Sequence, residues 1–173
     1  MVTLEELEAL DLVIWLRTTD QAARLACANQ STISRRNRAV QQLLGIGMER
    51  GLDGWRPTGD TRLLDLQRRV HQQARFLGRQ LLRLHVPCWT RRVVLRQLPG
   101  GWCTNPSSTD WACENPVHLL RERVIDACLL TPTQIPPCRE DLLLLDLYAR
   151  PIELTVFPGG AGRAIATPGA SPP

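Results

Sequence analysis

The stretch Asn29-Gln30-Ser31-Thr32-Ile33-Ser34-Arg35-Arg36-Asn37-Arg38-Ala39-Val40-Gln41-Gln42-Leu43-Leu44-Gly45 reads as one helix with two unlike faces. Asn29 suits the N-cap, because its side chain can accept from first-turn amides, and Gly45 suits the stop, because glycine takes a left-handed φ without a Cβ clash. Ile33, Val40 and Leu44 fall at i, i+7 and i+11 and form a core-facing stripe. Ser31, Arg35, Arg38 and Gln42 fall on another stripe of hydroxyl, guanidinium and amide groups, and no carboxylate occurs in the helix. A solvated face normally mixes signs to gain i,i+4 pairs. A face of donors and neutral polar groups suits phosphates and base edges. Taken alone, the helix also fits an ordinary solvent-facing stripe.

Upstream, Leu4, Leu7, Leu10 and Ile14 recur at helical spacing with Glu5, Glu6 and Glu8 outside, which predicts a first helix. A second helix is expected to start with Asp20 as N-cap and to carry Ala22, Ala23 and Ala26, small residues that let another helix cross closely. The Gly- and Pro-bearing stretch from Gly51 to Asp60 closes a helical unit over residues 1–60. Residues 61–80 read as one long polar helix in which Leu63, Leu66, Val70, Ala74 and Leu77 are spaced 3, 4, 4 and 3 apart. Such a narrow seam, with Arg62, Arg68, Arg69 and Arg75 around it, either pairs with a second helix or packs on its own domain.

From residue 81 to 157 short apolar runs alternate with helical stretches, an α/β pattern. Leu82 to Val86 reads as a strand, Thr90 to Leu98 as a helix, Asn115 to Val124 as another helix, and Ile125 to Leu130 as a buried strand. Leu142 to Leu147 and Ile152 to Phe157 read as further extended segments. Residues 158–173 are Gly, Ala and Pro with little to bury and are expected to be disordered. The fold class is thus α+β overall.

Composition narrows the function classes. The chain has 173 residues, 43% hydrophobic and 22% charged, which is the profile of a globular protein. No apolar run approaches a membrane span and the acidic N-terminus is unlike a signal peptide, so a cytoplasmic address and no membrane partner are expected. Net charge is +4 with every basic residue an arginine. Arginine's fixed fork fits nucleic-acid work, and codon bias of a GC-rich genome fits equally well. Cys27, Cys88, Cys103, Cys113, Cys128 and Cys138 form no Cys-x-x-Cys pair and stand apart from His71, His85 and His118. Reduced cysteines packed as small hydrophobes are therefore expected, with no metal and no cofactor. No phosphate loop, dinucleotide fingerprint or nucleophile motif occurs, so no catalytic residue is assigned and the chain is read as a non-enzyme. Glu122 and Asp126 are read as solvated carboxylates rather than an acid/base pair.

The order of parts carries a resemblance. Ala22-Ala23, then Asn29-Gln30-Ser31-Thr32-Ile33-Ser34-Arg35, then Leu44-Gly45-Ile46, resembles the helix-turn-helix of LysR-type transcriptional regulators at matching spacing. Asn37 departs from that pattern, standing where an aliphatic is usual. The resemblance implies a winged helix-turn-helix over residues 1–60 and a linker helix over 61–80. Residues 81–157 would be a partial effector-binding domain of the periplasmic-binding-protein-like α/β kind, shorter than in a complete member. It implies duplex DNA as partner, with Gln30, Ser31, Thr32 and Arg35 reaching base edges. Ser34, Arg38 and the wing residues Arg50 and Arg56 would grip phosphates. Leu63, Leu66, Val70, Ala74 and Leu77 would pair two copies, or one copy with a relative. Thr90 and Thr131 are candidate contacts of a small-molecule effector. A sequence-specific DNA-binding regulator is the leading expectation; a dimerisation-only modulator of a full-length relative, or a degenerate fragment, are the alternatives.

Overall fold

Leu4–Leu16 forms the first helix, α1, and its sequence is apolar almost all round. A single stripe was expected. Instead Leu7, Ala9, Leu10, Leu12, Val13, Ile14, Trp15 and Leu16 are all buried while Leu4 is exposed. The reason is that α1 is the central helix, with neighbours on every side: α2 (Thr19–Leu25), α3 (Gln30–Leu44), and, further along the chain, a strand and a fourth helix. Its start is fixed by a capping box, in which the Glu6 amide donates to Thr3 Oγ1 and the Thr3 amide donates to Glu6 Oε2. The computed structural model describes residues 2–51, 54–88, 90–106 and 116–146.

Thr18, not Asp20, caps α2: its hydroxyl accepts from the Gln21 amide at 3.2 Å. Asp20 sits instead inside the first turn, where it pairs with Arg24 one turn on. Ala22 and Ala23 are buried and allow α2 to lie close to α1 and α3. Helix α3 starts after Asn29, whose side chain makes no capping bond, and stops at Gly45 with φ 65°. Ile33 and Val40 are fully buried, and Leu44 packs at the edge of the same core. Asn37 interrupts this stripe, and its Oδ1 accepts from Gln41 Nε2 at 2.9 Å.

An antiparallel hairpin follows, with β1 (Gly47–Gly51) and β2 (Gly54–Thr58) paired from Gly47–Thr58 to Gly51–Gly54. Trp55 anchors it to the helices by donating from Nε1 to the Arg17 carbonyl at 3.1 Å. Gly54 has φ 111°, a conformation that side chains rarely adopt, so the backbone favours glycine at this position.

The next helix, α4, spans Arg62–Phe76. Beyond it β3 (Leu82–His85) is central in a parallel three-stranded sheet, flanked by β4 (Trp102–Thr104) and β5 (Ala127–Cys128). The short helices α5 (Arg91–Gln97) and α6 (Val117–Arg121) lie on the connections, as parallel pairing requires a crossover. Strand β4 went unread in the sequence, and α6 and β5 are shorter than expected. Residues 142–146 form no strand, while Ile152 to Phe157 and the expected disordered tail lie outside the described residues.

The described residues up to Cys138 belong to one compact unit, and the described residues 139–146 are divided from it. Leu119, Val124 and Ile125 join the residues of α1, α2 and α3 in one buried cluster. The expected boundary at Phe157 lies outside the described residues.

Candidate nucleic-acid interface

The face of α3 that the core does not use carries Gln30, Ser31, Arg35, Arg38 and Gln42 exposed, with Thr32 and Ser34 half-buried beside them. Packing explains the segregation: Ile33 and Val40 point α3 into the core, which turns the Ser31–Arg35–Arg38–Gln42 stripe outward. Among the described residues no ion pair or hydrogen bond is recorded for the side chains of Arg35, Arg38 or Arg50. These guanidiniums are available to anions, and each can present a bidentate fork. Gln30 differs, since its Nε2 donates to Thr19 Oγ1 at 2.8 Å. Thr19 was not singled out in the sequence, where a lone threonine near a helix start carries no signal of a partner eleven residues away.

Arg50 on β1 and Arg56 on β2 are both exposed and lie on the hairpin. The hairpin is tied to the C-terminal end of α1 through Trp55, so its position is fixed by the same core that fixes α3.

Among the described residues the apolar seam of α4 faces away from the core. Leu63, Leu66, Val70 and Leu77 are each more than half exposed, and Ala74 is half-buried. The face that packs inward is instead Leu64, Arg68, His71 and Arg75, again at spacings of 4, 3 and 4. Arg68 and Arg75 are expected around the seam, yet both lie on the inward face and are buried. Arg68 donates from Nε to Asp11 Oδ1 at 2.9 Å and from Nη1 to Glu122 Oε2 at 3.1 Å. Arg75 clasps Asp126, and a third buried arginine, Arg83 on β3, donates to the Val124 carbonyl and lies 3.6 Å from Asp11 Oδ2. The Asp126 carboxylate is therefore wholly buried and that of Glu122 half-buried, correcting their reading as solvated carboxylates. Signals existed: Asp11 interrupts an apolar run, and Arg68, His71 and Arg75 share one helical stripe.

Two histidines sit in this support. Burial pushes the His85 imidazole down to about 4, with Arg17 and His118 adding to the effect. Trp15 Nε1 donates to His85 Nδ1 at 3.2 Å, which needs that nitrogen unprotonated. His71 is also lowered, first by burial, against the opposing pull of Asp11. Burial raises the Cys103 thiol. Cys103 and Cys128 pack against the core as expected, but Cys27, Cys88 and Cys138 are exposed, and Cys113 lies outside the described residues.

Thr90 and Thr131, the candidate effector contacts, have local partners. Thr90 Oγ1 donates to the Pro87 carbonyl at 3.2 Å. Thr131 begins the short 3-10 turn Pro132–Gln134, its amide donating to Gln134 Oε1 at 3.0 Å. Among the described residues no cluster of metal-ligating side chains occurs, and no helix is long and apolar enough to cross a membrane.

No family model matches the chain, and no curated protein matches it. Similar solved structures include ArgP from Mycobacterium tuberculosis, at 21% identity over 69% of this chain and 45% of that one, with a TM-score of 0.36. Full-length OxyR from Pseudomonas aeruginosa is similar at 18% identity over 72% and 48%, with a TM-score of 0.42. VV2_1132, described as a LysR family transcriptional regulator, is similar at 14% identity over 82% and 56%, with a TM-score of 0.34. The chain spans about half the length of these structures. The solved structures similar to this chain thus include a LysR family transcriptional regulator, the family whose helix-turn-helix pattern residues 1–60 resemble.

Proposed function

We propose that the chain binds duplex DNA in a sequence-specific manner as a regulator of the LysR type. The observation that carries this reading is the outward face of α3: fifteen residues without a carboxylate, with Arg35 and Arg38 exposed and no partner recorded for them among the described residues. In this reading residues 1–60 act as a winged helix-turn-helix. The first turn of α3 enters the major groove, where Gln30, Ser31, Thr32 and Arg35 meet base edges. Ser34 and Arg38, with Arg50 and Arg56 on the hairpin, meet phosphates. Residues 61–80 act as a linker through which two copies pair, supported by the exposed Leu63, Leu66, Val70 and Leu77 stripe. Residues 81–157 serve as the beginning of an effector-responsive α/β domain.

The direct test is selection of duplexes from a randomised pool by the full chain, followed by affinity measurements across a salt series. Enrichment of one motif, with affinity falling as salt rises, is expected. Absence of enrichment together with salt-independent binding overturns the proposal.

A further inference from the structure

We propose that Thr19 is a positioning residue for base reading: its hydroxyl orients the Gln30 amide and thereby sets the preference for adenine at the pair Gln30 meets. This deepens the DNA-binding proposal and rests on it. Thr19 is the first residue of α2 and Gln30 the first residue of α3. The fold holds these two helix starts together, since α2 and α3 pack on one another over the buried Ala22, Ala23 and Ile33. Across that junction Gln30 Nε2 donates to Thr19 Oγ1 at 2.8 Å.

The chemistry of an amide makes this bond selective. Gln30 has one carbonyl oxygen and two N–H donors. Pairing with adenine in the major groove uses both amide atoms, accepting from N6 and donating to N7. The N–H that serves N7 is the one on the same side as the carbonyl oxygen. The other N–H points away from the base and is spare. A bond from that spare hydrogen to Thr19 leaves the adenine-reading edge intact, fixes the amide plane, and determines which edge turns outward. Without it the exposed side chain samples several rotamers and both amide orientations, and must give up that freedom on binding. Thr18, by contrast, spends its hydroxyl capping α2 and has no such role.

The test compares the wild-type full chain with Thr19→Val, Thr19→Ala, Thr19→Ser, Gln30→Ala and the double variant Thr19→Val/Gln30→Ala. Affinities are measured for the selected duplex, for the same duplex changed at one pair, and for a random duplex. The pair to change is the one whose substitution weakens the wild type but not Gln30→Ala. Thr19→Val and Thr19→Ala should each reduce discrimination at that pair about three- to tenfold, the range expected for one lost side-chain hydrogen bond. Affinity for random duplex should be unchanged, which a merely structural role of Thr19 would not produce. Thr19→Ser should retain discrimination, and Thr19→Val should add nothing once Gln30 is alanine. Full discrimination in folded Thr19→Val and Thr19→Ala, with Gln30→Ala still losing it, overturns the positioning role and leaves DNA reading standing. A wild-type chain that binds every duplex alike overturns both.

Discussion

Arg75 on α4 and Asp126 before β5 form a two-pronged buried ion pair, Nε to Oδ2 at 2.7 Å and Nη2 to Oδ1 at 2.9 Å. The geometry is the strong kind, a planar fork on a carboxylate. Asp126 Oδ2 also accepts from the Arg83 amide, and Arg75 Nη2 also donates to the Arg123 carbonyl. Together with Arg68–Asp11 this ties α4 to α1 and to the sheet by charge, alongside the apolar contact of the buried Leu64 with the core. The consequence is a helix whose Leu63, Leu66, Val70 and Leu77 stripe is left exposed.

Removing one partner from such a pair strands a charge where water cannot reach it. Asp126→Ala should therefore destabilise the protein by about 3–5 kcal/mol, read from urea unfolding. Glu122→Ala removes a half-exposed partner of Arg68 and should cost only about 1 kcal/mol or less. Equal costs for the two variants would mean that Asp126 is solvated in solution.

His85 sets a pH dependence with a definite sign. Its pKa is lowered from an ordinary value of 6.5 to about 4 in the folded chain. Above pH 6.5 both folded and unfolded states hold it neutral, and the full stability is present. As pH falls, the unfolded chain takes up a proton that the folded chain refuses, so stability declines from pH 6.5 towards 4 by up to about 3 kcal/mol. His71, lowered in the same direction, adds to this decline. His85→Gln keeps an acceptor for Trp15 and should flatten the curve between pH 6.5 and 5. An unchanged slope in that variant would remove His85 as its source.

Local signals made α3 readable from its residues: a cap position, a glycine stop and two stripes of opposite character all agree, and the helix forms where they place it. From its own residues the hairpin is legible only as glycines and a proline, because two five-residue strands carry little alternation, and the wing is implied by the resemblance alone. The charged face of α4 was misread for a physical reason. Arginine is normally a surface residue, and only its partners reverse that expectation. Those partners, Asp11 and Asp126, lie 57 and 51 positions away in sequence. The three-residue strand β4 was missed because its order comes from the ladder with Leu82–Leu84 rather than from its own pattern.

The exposed seam of α4 makes pairing of copies measurable. Leu66 and Val70 lie on it at i and i+4, exposed in the single chain. Changing both to Asp should leave the fold intact, since neither supports the core, while placing like charges opposite their mates across a two-fold axis. Under the proposed pairing the wild type sediments as a dimer and the double variant as a monomer. A folded double variant that sediments as a dimer alongside a dimeric wild type would move the pairing surface elsewhere.

Reading and gripping of DNA should separate within α3 itself. Gln30 stands in the first turn and Arg38 more than two turns further on, both on the exposed side. The first turn enters a major groove deepest, so Gln30→Ala should cost about 1–3 kcal/mol on the selected duplex and little on random DNA. The ratio of the two affinities then narrows. In the proposed interface Arg38 meets phosphates, which look alike in every sequence, so Arg38→Ala should weaken both duplexes by the same factor. It should also lower the slope of log affinity against log salt by about 1, as should Arg50→Ala on the hairpin, because each lost phosphate contact releases roughly one counterion fewer. The salt slope and the affinity ratio are independent readouts, so each residue has a signature the other lacks. If Gln30→Ala lowered both affinities equally, base reading would not reside in this turn. If Arg38→Ala left the slope unchanged in a folded protein, Arg38 would lie outside the interface.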